Sequence, residues 1–179
     1  MVVLRTKRPQ DSEADYAWRT DPELAALDAT TPLAVTFREY ERYYRDDLDF
    51  PSPWSVRLAI DTLDGQHIGN CMYYDIDPDR KDAEVGIMVG DRQFWGKGYG
   101  TDAMRALIGH IFSDTPIERL YLHTLVDNDR ARQAFAKSGM RPIGQIRRDG
   151  YEFLKMEITR AEWEAHRTGR NGTATKNSK

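Results

Sequence analysis

Three glycines on alternate positions, Gly96, Gly98 and Gly100 in "DRQFWGKGYGTDAM", constrain this chain more than any other feature. Ahead of them, "AEVGIMVG" (83–90) is a near-continuous apolar run that reads as a buried central strand. Behind them, "TDAMRALIGHIFS" (101–113) places Ala103, Met104, Leu107, Ile108, Ile111 and Phe112 on one helical face. A strand that enters a helix through Gly-x-Gly-x-Gly presents backbone N–H groups with no side chains over them. The helix N-terminus adds its own unpaired donors and roughly half a positive charge. Together these make an anion site, and phosphate is the usual guest. Glycine is needed because such a nest uses positive φ and because a side chain would block close approach.

The elements around this turn follow from periodicity. "MVVLRTK" reads as a first strand, and "DSEADYAWRTDPELAALD" (11–28) as one or two helices with Ala14, Ala17 and Trp18 as an apolar stripe. "TFRE" (36–39) is a capping box opening a helix with Phe37, Tyr40, Tyr44 and Leu48 on one face. "SVRLAIDT" and "HIGNCMYYDID" alternate as strands around a turn at Asp64-Gly65, and 83–90 completes a three-stranded meander. "IERLYLHTLV" (117–126) is a strand, so strand 83–90, helix 101–113 and strand 117–126 form a parallel βαβ unit. A short helix over 127–139 ends at Gly139, a hairpin over 143–158 turns at Asp149-Gly150, and "RAEWEAHR" is a last helical piece. The expected class is α+β, a mixed but mostly antiparallel sheet with helices on both faces. It forms one domain over residues 1–167, with 168–179 a polar tail expected to be disordered.

Composition narrows the chemistry. A net charge of −3 argues against a nucleic-acid partner that needs a broad basic face. The single cysteine, Cys71, excludes an intrachain disulfide and reads as a small core residue, so a cytoplasmic location is expected. No apolar run reaches the ~18 residues of a membrane span and no leader opens the chain, so no membrane role is expected. The four histidines show no metal-binding spacing, so no metal is expected. The P-loop pattern is absent. Gly98-Tyr99-Gly100-Thr101-Asp102-Ala103 fits the dinucleotide fingerprint G-x-G-x-x-G/A literally, but it follows an antiparallel meander instead of opening a run of βαβ units.

In two motifs the sequence resembles the GNAT family of acetyl-CoA-dependent N-acetyltransferases, and within it the RimJ/RimL-like branch. The family signature [Q/R]-x-x-G-x-[G/A] reads Trp95-Gly96-Lys97-Gly98-Tyr99-Gly100, and N-x-x-[S/A]-x-x-x-Y-x-K-x-G-F reads Asn128, Ala131, Phe135, Lys137, Gly139, Met140. The element order agrees over about residues 1–165. The resemblance implies a GNAT-like fold and acetyl-CoA as cofactor, leaving as CoA. It implies that the backbone from Trp95 to Thr101 holds the CoA pyrophosphate, and that the pantetheine arm pairs with Ile87, Met88 and Val89 where the central strands splay. Asn128 and its helix would contact the arm from the other side, with Lys97, Arg132 and Lys137 as candidate phosphate partners.

Direct transfer needs a base, because an alkylammonium has pKa near ~10.4. Glu84 starts the central strand, where the family often places its carboxylate base, so the resemblance makes it the candidate catalytic base, acting through water, with Asp82 the nearest substitute. The N–H of Val89 or Met88 can polarise the thioester carbonyl. Phe135 stands where many relatives have a tyrosine acid and cannot donate a proton. Tyr99, Tyr121 and Tyr151 remain as donors, or the thiolate leaves unaided. The alternative reading is a non-catalytic acyl-CoA-binding module. The acceptor is an amine, either a small molecule or a protein N-terminus. Its contacts are expected from the early helices, the meander and the final hairpin, where "YYRDDLDF" and "YYDIDPD" join aromatics to carboxylates. A homodimer is a further expectation of the resemblance.

Overall fold

The computed structural model describes residues 1–171, with side chains through 168. Seven strands form one sheet: β1 (Val2–Thr6), β2 (Ser55–Thr62), β3 (His67–Asp77), β4 (Asp82–Val89), β5 (Arg119–Leu125), β6 (Arg141–Arg148) and β7 (Tyr151–Thr159). Their spatial order is β1-β2-β3-β4-β5-β7-β6. Every neighbouring pair is antiparallel except β4 with β5. That parallel pair is joined by α4 (Tyr99–Asp114), the crossover of the expected βαβ unit. The mixed, mostly antiparallel sheet is as expected, with β4 at its centre.

Helices cover both faces. On one side Leu58, Ile60, Cys71, Tyr73, Val85, Leu120, Leu122, Met156 and Ile158 meet the buried stripe of α4: Ala103, Met104, Leu107, Ile108, Ile111 and Phe112. These six α4 residues are the ones its 3.6-residue period selects. Cys71 lies in this core, and burial pushes its thiol pKa up to about 12, which makes it unreactive. The opposite face carries α1 (Ser12–Arg19), α2 (Pro22–Leu27) and α3 (Phe37–Asp49). Asp21 caps α2 through Glu23 and Leu24 N–H, and the Thr36–Glu39 capping box opens α3.

The region 11–28 is two helices, and its buried side differs from the expected stripe. Ala17 is exposed and Ala14 and Trp18 are half-buried, while Asp11, Ser12 and Asp15 are buried. Arg5 makes a two-point contact with Asp11 at 2.8 Å, Lys7 pairs with Asp15, and His67 and Asn70 also bind Asp15 at 3.1 and 2.7 Å. A charge satisfied by partners on β1 and β3 replaces the apolar contact that periodicity alone predicts. At the other end, α5 (Asp129–Lys137) stops at Gly139 with φ +100°, and the β6–β7 hairpin turns at Asp149-Gly150 with φ of +53° and +83°. The last helix, α6 (Arg160–Asn171), carries the chain past Thr168, where the polar tail was expected to begin. The rest of that tail lies outside the described residues.

Candidate active site

β4 and β5 pair at only three positions, Asp82↔Arg119, Ala83↔Leu120 and Glu84↔Tyr121. Beyond Glu84, β4 keeps pairing with β3 and β5 with β7, so a slot opens between the two parallel strands. A cavity of about 400 Å³ fills it. Its walls are Ile87, Met88 and Val89 of β4, the turn through Trp95, Gly96, Gly98, Gly100 and Thr101, the α5 side with Asn128, Phe135 and Lys137, and Leu24, Leu27 and Asp28 at the end of α2. Eleven of the cofactor residues expected from sequence therefore line one cavity. Lys97 and Tyr99 do not. Lys97 is exposed, and the Tyr99 ring packs edge-on against Phe94 at 4.8 Å.

The glycine turn has the geometry of a nest. Gly96 and Gly98 have φ of +70° and +91°. Gly98 is the N-cap of α4 and supplies no side-chain cap, so the first helical N–H groups are left for a ligand. Positive φ is what requires glycine here: a Cβ at Gly96 would meet nothing within 4 Å.

The cations fall out differently from expectation. Lys137 lines the cavity. Arg132 does not; it is turned back onto Val126 C=O at 2.8 Å and Asp129 at 3.0 Å. Arg130, which sequence reasoning missed, lies 3.5 Å over the Trp95 ring, lines the cavity, and has no hydrogen-bond or ion-pair partner among the described residues. Burial lowers its pKa. The helical period held the signal: Arg130, Ala134 and Lys137 form one stripe at i, i+4, i+7, and Arg132 is not on it. Trp95 also contributes more than its backbone. Its indole N–H donates to Val89 C=O at 2.6 Å, and its ring also carries Arg92 at 5.4 Å. Asn128 caps α5 through Ala131 N–H and donates to Leu27 C=O at 3.4 Å, tying α2 to α5 beside the slot.

Glu84 lies outside the cavity lining, where β4 and β5 last pair. It accepts a hydrogen bond from His123 Nδ1 at 2.9 Å, with both side chains largely buried. His123, on β5, was missed, because only the parallel pairing brings it to Glu84. Tyr74 is the β3 register partner of Glu84. Burial first, then the charge of Glu84, raises the Tyr74 pKa, and Tyr121 is raised for the same two reasons in the same order. Asp82 is committed to Arg119 at 2.8 Å. Tyr151 is exposed at the far hairpin. Among the described residues, no group of three or more His, Cys, Asp or Glu is placed to hold a metal, and no helix is long and apolar enough to cross a membrane.

A splayed parallel strand pair, a bare N-terminal nest on the crossover helix and a cation-bearing wall opposite make a slot suited to an extended anionic ligand. Residues 2–141 match the family model described as Acetyltransferase (GNAT) domain. The chain belongs to the GNAT acetyltransferase family, whose members move an acetyl group from acetyl-CoA to an amine. It is 26% identical over 111 residues to the Bacillus subtilis (strain 168) protein YdaF, whose name places it among ribosomal N-acetyltransferases. That match spans 58% of this chain and 60% of YdaF. The fold is similar to spermidine N-acetyltransferase from Vibrio cholerae solved with CoA and spermine (TM-score 0.81, 18% identity, 91% of this chain and 98% of that one). It is also similar to the aminoglycoside acetyltransferase AAC(6')-Ib solved with coenzyme A (TM-score 0.77, 21% identity, 93% and 99%).

Proposed function

We propose that this chain transfers the acetyl group of acetyl-CoA to a small primary amine by direct attack, with the Glu84–His123 pair removing the proton. The observation that carries this reading is the slot itself: eleven expected cofactor positions line it, and the buried pair stands where it closes. Pyrophosphate sits on the Gly96–Thr101 nest, with Arg130 and Lys137 supplying charge. The pantetheine arm lies along Ile87–Val89, and an N–H of Met88 or Val89 polarises the carbonyl. Glu84 holds the Nδ1–H tautomer of His123, which leaves Nε2 to accept the ammonium proton, directly or through water. Phe135 lines the slot and offers no proton. A thiol pKa near ~8.5 lets the thiolate leave without one. The solved structures that this fold resembles are named for polyamine and aminoglycoside acceptors, which is the ground for proposing a small amine; YdaF, named for a ribosomal acceptor, makes a protein N-terminus the competing one. We also propose a homodimer, because β6 ends the sheet with one edge unpaired among the described residues and all eight of its residues exposed.

The test is release of free CoA thiol with a panel of amines. Glu84→Gln and His123→Gln should each lower kcat by about 10²-fold or more, while the thermal shift given by acetyl-CoA persists. An acetyl-CoA shift with no thiol release for any amine would leave the non-catalytic binding module as the reading. Full activity in both variants would remove the pair from the mechanism.

A further inference from the structure

The turn that leads into the nest departs from its motif in one side chain. Where the signature has Gln or Arg, this chain has Trp95. The turn thus lacks the polar side chain of the motif, and a guanidinium reaches it from α5 instead. Arg130 lies 3.5 Å over the Trp95 ring, and both residues line the cavity. No pairing within the fold accounts for Arg130. It is the second residue of α5, where a positive charge opposes the helix macrodipole. Partial burial strips some of its hydration, and it has no hydrogen-bond or ion-pair partner among the described residues. Its neighbours are all occupied: Arg92 binds Asp21 and Glu23, Arg132 binds Val126 C=O and Asp129, and Arg105 binds Lys137 C=O. The ring beneath Arg130 is itself anchored. Its indole N–H donates to Val89 C=O at 2.6 Å, at the end of β4. Arg92 also approaches the ring, at 5.4 Å, but with its charge already matched by Asp21 and Glu23. A guanidinium stacked on a π face keeps its N–H edge free to donate, because stacking uses the face and not the N–H groups. The stack therefore joins the turn to α5 and leaves free donors on the residue that precedes Gly96, the first glycine of the nest.

We propose that Trp95 is a positioning residue whose ring holds the Arg130 guanidinium where the cofactor pyrophosphate reaches the nest, so that the two side chains act as one unit in place of the motif's single polar residue. The inference rests on the acetyltransferase reading above and deepens it. Arg130 grips the anion through charge-assisted hydrogen bonds. Trp95 contributes through Arg130 and not through a contact of its own. Stacking restricts a long side chain before the ligand arrives, so less freedom is lost on binding. The anion then meets backbone N–H groups from the turn and a preset cation from α5.

The experiment measures calorimetric binding of CoA, dephospho-CoA and pantetheine to wild type, Arg130→Gln, Trp95→Leu, Trp95→Phe and the double variant Trp95→Leu with Arg130→Gln. Arg130→Gln should weaken CoA binding about tenfold or more, and Trp95→Leu about fivefold. The double variant should be no weaker than Arg130→Gln alone, because without the guanidinium the ring has nothing to position. Trp95→Phe should recover much of the loss, since a π face remains. Dephospho-CoA keeps the pyrophosphate and should show the same losses as CoA. Pantetheine has no phosphate and should bind all five proteins alike. Losses that add in the double variant, or wild-type affinity in Trp95→Leu, overturn the unit. An equal loss of pantetheine binding assigns Trp95 to packing of the slot wall and overturns it too. A loss confined to CoA moves the contact to the terminal phosphate and overturns the pyrophosphate assignment. Each of these results leaves the acetyltransferase reading standing; a wild-type protein that binds neither CoA nor acetyl-CoA overturns both.

Discussion

Gly98 shows how one backbone angle carries a function. Its φ of +91° places the α4 N-terminus open to the cavity, and any L side chain there is strained. A Cβ at Gly98 would meet only the Met1 side chain, at 3.8 and 3.9 Å, so the cost of Gly98→Ala is the strained angle: about 1–2 kcal/mol of stability, and with the turn no longer held in this conformation most of the affinity for acetyl-CoA. Thermal unfolding with and without acetyl-CoA measures both; a variant that keeps the full ligand shift places the phosphates elsewhere. This residue was legible in the sequence because positive φ and helix capping are local properties, written into neighbouring letters. Arg130 was legible in principle, as the helical period alone puts it beside Lys137. His123 was not, because its partner Glu84 is 39 positions away and meets it only through the parallel register.

At the scale of elements, strands and helices came through where apolar periodicity decides, and α1 was misread where buried charge does. The junction of β7 with α6 makes the same point. Thr159 and Glu162 form a capping box: Glu162 accepts from Thr159 N–H and Oγ at 2.8 Å each, and its own N–H donates to Thr159 Oγ at 3.3 Å. Arg141 on β6 donates to the other Glu162 oxygen at 2.8 Å, so one carboxylate joins three elements. The Arg141 hydrogen bond first, then Thr159 N–H, hold Glu162 down from 4.5 to about 2. A depressed carboxylate stabilises the fold fully above its unfolded value, and that contribution is lost as pH falls from about 4.5 through about 2. Glu162 is partly exposed, so solvent screening discounts the shift to the size of a capping interaction, about 1–2 kcal/mol. Glu162→Ala should therefore melt roughly 3–6 °C below wild type at pH 7, and the gap should narrow as pH approaches 2. Melts across that range check it; a gap independent of pH would assign the loss to side-chain packing.

For the molecule as a whole, the sheet is closed off unequally. β1, at one end, is held by α4 packing and by the Arg5 and Lys7 ion pairs. Among the described residues β6, at the other, pairs only with β7 and leaves a row of N–H and C=O groups facing outward, with Ile143 and Ile146 both more than a third exposed. An uncovered edge of eight residues with apolar side chains is a template for a second strand, and proteins that stay monomeric blunt such edges. Arg141, Arg147 and Arg148 lie on β6, so an antiparallel partner would have to offset like charges. The stretch Gly144–Ile146 between these arginines carries no charge of its own. Ile146→Lys places a charge in that segment without touching the slot. Sedimentation at micromolar concentration should show wild type as a dimer and Ile146→Lys as a monomer, with acetyl-CoA still raising the melting temperature of both. A wild-type monomer across the accessible concentrations would mean that the arginines alone suffice to keep the edge free.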